Sequence, residues 1–222
     1  WSSDAPTVAT VSSNGLVTAI SNGQATLTAT SGSLSATASA TVQQVPTSLS
    51  IVSGNAQSDT VGQLLVESLV VRAEDQGGTA VSGVSINFSI NQGGGSLSET
   101  SVTTDSDGEA STTWTLGTTS GAQNVTALIQ GSEGGKADFS ATATPGPATA
   151  FSKEWGDQQI GKNDRPLPEP IKAAVKDEFG NGIAGIPVTF AVTDGGGSIN
   201  PADSVTSETG TAEGTWTMGV VG

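Results

Sequence analysis

The chain has 222 residues and a formal charge of −14, from 21 acids against only seven basic residues. A field of that sign repels phosphate backbones and anionic lipid, which argues against a nucleic-acid partner. Cys and His are both absent. Their absence removes thiolate nucleophiles, His-based triads, the usual zinc ligand sets and any disulfide framework. No apolar run approaches the length of a bilayer span, so no membrane insertion is expected in this segment. Trp1 does not open a signal peptide, and the chain reads as an excerpt from something longer. Ser, Thr, Gly, Ala and Val dominate while aromatics and helix formers are scarce, which predicts an all-β fold.

Residues 1–43 open with short strands punctuated by Asn14-Gly15 and Asn22-Gly23. Both dipeptides tolerate the positive φ that tight hairpins demand. Leu34, Ala36, Ala38, Ala40 and Val42 then alternate with Ser and Thr, which predicts a half-buried strand. Val45-Pro46 follows as a short, semi-rigid junction.

From residue 46 apolar runs recur near Leu49, Leu69, Val84, Leu97, Ala110, Val125 and Ala137. Val84, Ile86, Phe88 and Ile90 alternate with Ser85, Asn87, Ser89 and Asn91, one buried face and one wet one. About seven strands separated by glycine-rich turns make the pattern of an immunoglobulin-like Greek-key sandwich. "PGPA" at 145–148 is a second proline junction.

Beyond it the same unit returns, shifted by 102 residues without an insertion. Gly54 falls on Gly156, Gln57 on Gln159, Asp75 on Asp177, Gly83 on Gly185 and Phe88 on Phe190. "GGGS" at 93–96 falls on 195–198, and "TWTLG" ending at Gly117 on "TWTMG" ending at Gly219. A unit of about a hundred residues is an ordinary small domain. Strands matching 122–143 have no counterpart before Gly222, so both ends of the chain are expected to be cut inside domains.

The acids Asp105, Asp107 and Glu109 resemble the front of a calcium loop, but Ser207, Thr209 and Thr211 replace them in the second copy. The later glutamate of an EF-hand is missing too, which predicts a plain turn. Asp75 and Asp177 do recur, and an Asx turn is the expectation there, with a shared cation site as the alternative. "GGGS" lacks the following helix and lysine of a phosphate loop and reads as a hairpin. Trp114 and Trp216 fall on the inward face and are expected in the core. Trp155 has no aromatic counterpart and is the best candidate for an exposed contact. No Ser-x-x-Lys or His-paired serine exists, so no catalytic, cofactor-binding or metal-ligating residue is assigned.

The stretch "WSSDAPTVATVSSNGLVTAISNGQATLTA" resembles the bacterial immunoglobulin-like group 2 repeat. The 102-residue copies resemble the group 1 domains of intimin and invasin stalks, through "VVRAEDQGGTAVSGVSINFSI", "TTDSDGEASTTWTLG" and their counterparts "VKDEFGNGIAGIPVTFAV" and "TSETGTAEGTWTMG". The resemblance implies three pieces: 1–43, the C-terminal part of a group 2 domain; 46–145, a complete group 1 domain; and 148–222, a group 1 domain lacking its last strands. It also implies a non-catalytic stalk segment of a large surface protein. Its partners would be neighbouring domains of that chain, with a host receptor or glycan reached through a distal module. The alternatives are a ligand-binding immunoglobulin-like module, a phage virion decoration protein, or a filament subunit completed by donor strands.

Overall fold

The computed structural model describes residues 1–131 and 135–220. Among them every regular element is a strand, and no helix is long and apolar enough to cross a membrane. Val221 and Gly222, which close the expected third piece, and 132–134 in the second lie outside the described residues. Contacts divide the chain into two compact units. One comprises Trp1–Gln57, Leu64–Thr115 and Gln123–Ala141; the other comprises Ser58–Gln63, Leu116–Ala122 and the chain from Thr142 onward.

The first 45 residues form β1 (Ser2–Ser3), β2 (Ala9–Val11), β3 (Val17–Ala19), β4 (Gly23–Ser31) and β5 (Leu34–Val42). Hairpin β2–β3 pairs Val11 with Val17, and Gly15 supplies the expected positive φ, +82°. Asn22-Gly23 does not close a hairpin. It carries the chain from β3 into a different sheet, ordered β1-β4-β5. Ala25 and Leu27 on β4 are buried, but β5 departs from the half-buried expectation. Leu34 is 75% exposed, Ala36 and Ala38 are exposed too, and only Ala40 and Val42 are partly covered. Alternation reports which side chains share a face of the pleat; whether anything lies over that face is a tertiary matter.

The next hundred residues form β6 (Ser48–Ser53), β7 (Gln57–Thr60), β8 (Leu69–Glu74), β9 (Ser85–Gln92), β10 (Gly95–Leu97), β11 (Ser101–Thr103), β12 (Glu109–Thr112), β13 (Trp114–Leu116), β14 (Gly121–Ile129) and β15 (Lys136–Thr144). That is ten segments among the described residues, where apolar runs predicted about seven. The extra pieces β7 and β11 are short and carry too few apolar positions to show a period, and β13 continues the alternation of β12 but is split from it. Sheet order is β11-β9-β14-β15-β7 on one side and β12-β8-β6 on the other. Between them Leu69, Val71, Ala73, Ile86, Phe88, Ala110, Val125, Ala127 and Phe139 are buried, with Trp114 fully so.

Ala110, Thr112, Trp114 and Leu116 alternate in the sequence like one continuous strand, yet the segment is broken in two. β12 joins β8, with Ala110 opposite Val71, whereas β13 pairs with β10. The switch is held by the buried Thr112, whose Oγ1 donates to the Glu99 carbonyl (2.8 Å), and by Thr113 N donating to Ser98 Oγ (3.0 Å). β13 thereby leaves the β12-β8-β6 sheet for a separate two-stranded one.

The remaining strands are β16 (Ala150–Trp155), β17 (Ile171–Lys176), β18 (Pro187–Thr189), β19 (Gly197–Asn200), β20 (Asp203–Val205) and β21 (Thr211–Met218). They form the sheet β16-β17-β21-β19 and the pair β18-β20. The repeat is reproduced down to its irregularities. The bulge between Ile51 and Ser53 against β8 recurs between Lys153 and Trp155 against β17. The core here is smaller: Ala173, Val175, Val188 and Ala212, with Ile183, Ile186 and Phe190 partly buried around them. No described strand matches β14 and β15.

Candidate functional site

The acid-rich stretch at 105–109 is a turn. Asp105 Oδ1 accepts from the backbone N–H groups of Asp107 and Glu109, both at 2.9 Å, and Gly108 N donates to the Asp105 carbonyl. In the second copy Ser207 takes the same place, its Oγ accepting from Thr211 N and its carbonyl from Gly210 N. A hydroxyl can take the carboxylate's place because the task is to accept from backbone donors within the turn. Gly108 is at φ +75° and Gly210 at +79°. Among the described residues no group of three acids is arranged to hold a metal ion.

The recurring "GGGS" is a turn of three glycines at positive φ, +88°, +75° and +95° at 93–95 and +77°, +70° and +98° at 195–197. Side chains avoid that region, which accounts for the glycine triplet without any ligand.

Two recurring polar side chains clasp loops. Gln57 Nε2 donates to the carbonyls of Gly54 (2.8 Å) and Glu67 (2.9 Å), while its Oε1 accepts from Glu67 N. Gln159 repeats the pattern with Gly156 and Glu169. A Cβ on Gly54 or Gly156 would lie 2.2 or 2.4 Å from a backbone oxygen, so each clasped loop requires its glycine. Thr104 and Thr206, both buried, each donate to one carbonyl, Val81 or Ile183, and accept from one N–H, Val84 or Ile186. Neither clasp was recognised as such in the sequence; the recurrence of Gln57 and Gly54 at one offset was the available signal.

Asp75 and Asp177 form the expected Asx turns and do more. Asp75 Oδ1 accepts from Gly77 N and Thr79 N, and its Oδ2 accepts from Gln44 Nε2 at 3.1 Å. The Thr79 N–H first, and then the Gln44 amide, hold its carboxyl below the ordinary value. Asp177 is buried, 3% exposed. It accepts from Phe179 N, Asn181 N, Asn181 Nδ2 and Gly146 N, all within 2.8–2.9 Å. Burial opposes its ionisation, yet the Asn181 side chain and these backbone donors outweigh that and keep its carboxyl below the usual range. Asn181 also spans to the 118–120 loop, donating to the Thr118 carbonyl and accepting from Ser120 N, both at 2.9 Å. The repeated aspartate therefore grips the segment that precedes its own repeat, Gln44 in one case and the Pro145-Gly146 junction in the other. Alternation and spacing do not disclose this, because the partners are donated by residues about 30 positions away.

Trp155 lies on the surface as expected, 59% exposed. Around it Lys172 Nζ meets Glu213 Oε2 at 2.8 Å. Glu213, with Glu154 and Glu169 further off, raises the Lys172 ammonium above its ordinary value. Trp216 differs from the core expectation. It points inward on β21 but is only half-buried, whereas Trp114 is sealed.

Residues 47–142 match the bacterial Ig-like domain (group 1), and residues 1–42 match the bacterial Ig-like domain (group 2). These stretches are bacterial Ig-like domains. The second 102-residue copy is matched by neither description. No curated protein matches the chain.

Among solved structures, the chain is similar to the Escherichia coli adhesin FdeC at 20% identity. That match covers 91% of this chain and 68% of the other, with a TM-score of 0.49. The Yersinia pseudotuberculosis adhesin InvE gives 16% identity, coverage of 77% and 51%, and a TM-score of 0.40. Domains 4–9 of the surface layer protein SbsC give 20% identity and a TM-score of 0.37. Coverage there is 97% of this chain and 34% of that one, so the chain spans about a third of it.

Proposed function

We propose that this chain is a non-catalytic spacer: a run of bacterial Ig-like domains within a longer extracellular protein of the bacterial surface, holding a distal binding module away from the envelope. The observation that carries the reading is where the recurring polar side chains act. Gln57 and Gln159, Thr104 and Thr206, and Asp75 and Asp177 all bond to the chain's own loops and junctions. What recurs is thus the means of shaping a domain and holding the segment that leads into it. The acidic, hydroxyl-rich surface favours solubility and resists self-adhesion.

In this reading 46–145 and 148–222 are the repeated units, and 1–43 is the C-terminal part of a group 2 domain. Limited proteolysis is expected to cut first near Val45-Pro46 and within 145–148, giving fragments of those sizes; early cuts inside either repeat count against the division. The spacer reading is tested by displaying the chain on beads and measuring attachment to host cells. Background-level attachment supports it, whereas saturable attachment competed by soluble chain replaces it with a ligand-binding module.

A further inference from the structure

Asn-Gly occurs three times in the chain, at 14–15, 22–23 and 181–182. In this dipeptide the asparagine amide is most open to attack by the following backbone nitrogen, because glycine has no Cβ to obstruct the approach. The fold gives the three asparagines different surroundings.

Asn14 is exposed and stands in the turn between β2 and β3. The Ser12 hydroxyl donates to Asn14 Oδ1. Negative charge develops on that oxygen when Cγ is attacked, and a donor already in place stabilises it. The Gly15 N–H is held by a turn bond to the Ser12 carbonyl, 3.0 Å long. β2 and β3 have three residues each and form a sheet by themselves, so fraying releases that bond at little cost.

Asn22 is half-buried and more firmly held. Its Oδ1 accepts from Gln44 N, and its own N–H donates to Gln44 Oε1. Gly23 opens the nine-residue β4, paired with β5 from that residue onward. Asn181 is held most firmly. Its Nδ2 donates to the Thr118 carbonyl and to Asp177 Oδ2, its Oδ1 accepts from Ser120 N, and its backbone N–H donates to Asp177 Oδ1. A Cβ on Gly182 would lie 2.0 Å from the Thr209 carbonyl oxygen, so the backbone there is closely packed. Turning Cγ of Asn181 onto Gly182 N breaks all three side-chain bonds.

We propose that Asn14 is a site of spontaneous covalent modification, and that Asn181, in the same dipeptide, is protected by the turn it serves. Gly15 N attacks Asn14 Cγ; an N–Cγ bond forms, the Cγ–Nδ2 bond breaks, and ammonia leaves with the proton from Gly15 N. Water then opens the five-membered imide at either carbonyl. The product is aspartate or, where the main chain is rerouted through Cγ, isoaspartate. Either one adds a negative charge to an exposed hairpin. At Asn181 the same product would set a carboxylate against Asp177 and the Thr118 carbonyl and remove their donor. The bonds that grip the 118–120 loop therefore also keep Asn181 an amide. The proposal is independent of the spacer reading.

The test is incubation of the whole chain at mildly alkaline pH, followed by peptide mapping with mass and retention to separate aspartate from isoaspartate. In the folded chain Asn14 is expected to convert at least about tenfold faster than Asn181, with Asn22 between them, and in urea the three rates should converge. Ser12→Ala is expected to slow Asn14 in the folded chain but not in urea, and Ser12→Thr to restore the rate. Asp177→Ala, confirmed as folded by circular dichroism, is expected to speed Asn181; the comparison within the unaltered chain stands even where that variant fails to fold. The proposal is overturned if Asn181 converts as fast as Asn14 in the folded chain, or if Ser12→Ala leaves the Asn14 rate unchanged.

Discussion

Asp105 and Asp177 are both turn carboxylates, yet they differ in what surrounds them. Asp105 caps two N–H groups at the surface, whereas Ser207 in its sibling caps one and keeps the same turn, so Asp105→Ser is expected to shift the urea midpoint only slightly. Asp177 is buried and accepts four hydrogen bonds. Asp177→Ala strands those donors, and a loss of about 1–3 kcal/mol in urea unfolding is expected. Asp177→Asn should recover part of it by restoring an acceptor. The pH dependence follows from the same bonds. The Asp177 carboxyl is held below its ordinary 3.8 when folded, so its contribution is complete above that value and is lost as pH falls through the folded value. The melting temperature should be flat around neutrality and drop below about pH 4. Asp177→Ala is expected to start lower and to show a shallower acid limb.

At the level of elements, glycine carries the punctuation, and its neighbours set how strictly. A Cβ on Gly93 would lie 2.2 Å from Gln123 Cγ, whereas one on Gly94 would meet nothing within 4 Å, although both residues have positive φ. Gly94→Ala should therefore cost only the left-handed backbone penalty, about 1–2 kcal/mol. Gly93→Ala should cost more, since the buried Gln123 must also move; paired thermal melts of the two variants check the order. The Gln57 clasp follows the same logic. Gln57→Ala frees the carbonyls of Gly54 and Glu67 and the N–H of Glu67 at once. Faster amide exchange at Glu67 is expected while Val71 and Phe88 remain protected.

At the scale of the whole molecule, the two repeats form an internal comparison, one covered by its hairpin and one open. The covered copy seals its Trp, and the open copy leaves Trp216 half-buried. Acrylamide should therefore quench Trp216 more than Trp114, measured in single-tryptophan variants. Millimolar calcium should leave the melting curve in place, because the recurring aspartates are engaged by N–H groups and their remaining oxygens by Gln44, Asn181 and Gly146. A calcium-dependent rise in melting temperature would reopen the cation reading of these turns.

Much of the architecture was legible along the chain. Period-two alternation, glycine punctuation and the 102-residue offset require only local backbone chemistry and a copy to compare with. They specified an all-β chain with a repeated sandwich unit, and the loss of the acids between copies identified 105–109 as a turn. The tertiary structure decided what lies over each face and who donates to each acceptor. Leu34 and Phe139 both sit on alternating strands, but one is open and the other sealed. Asp75 and Asp177 share a turn, but only Asp177 is closed in by an asparagine that reaches a second loop. Burial depends on segments distant in sequence, and alternation on a single strand is the same whether or not those segments arrive.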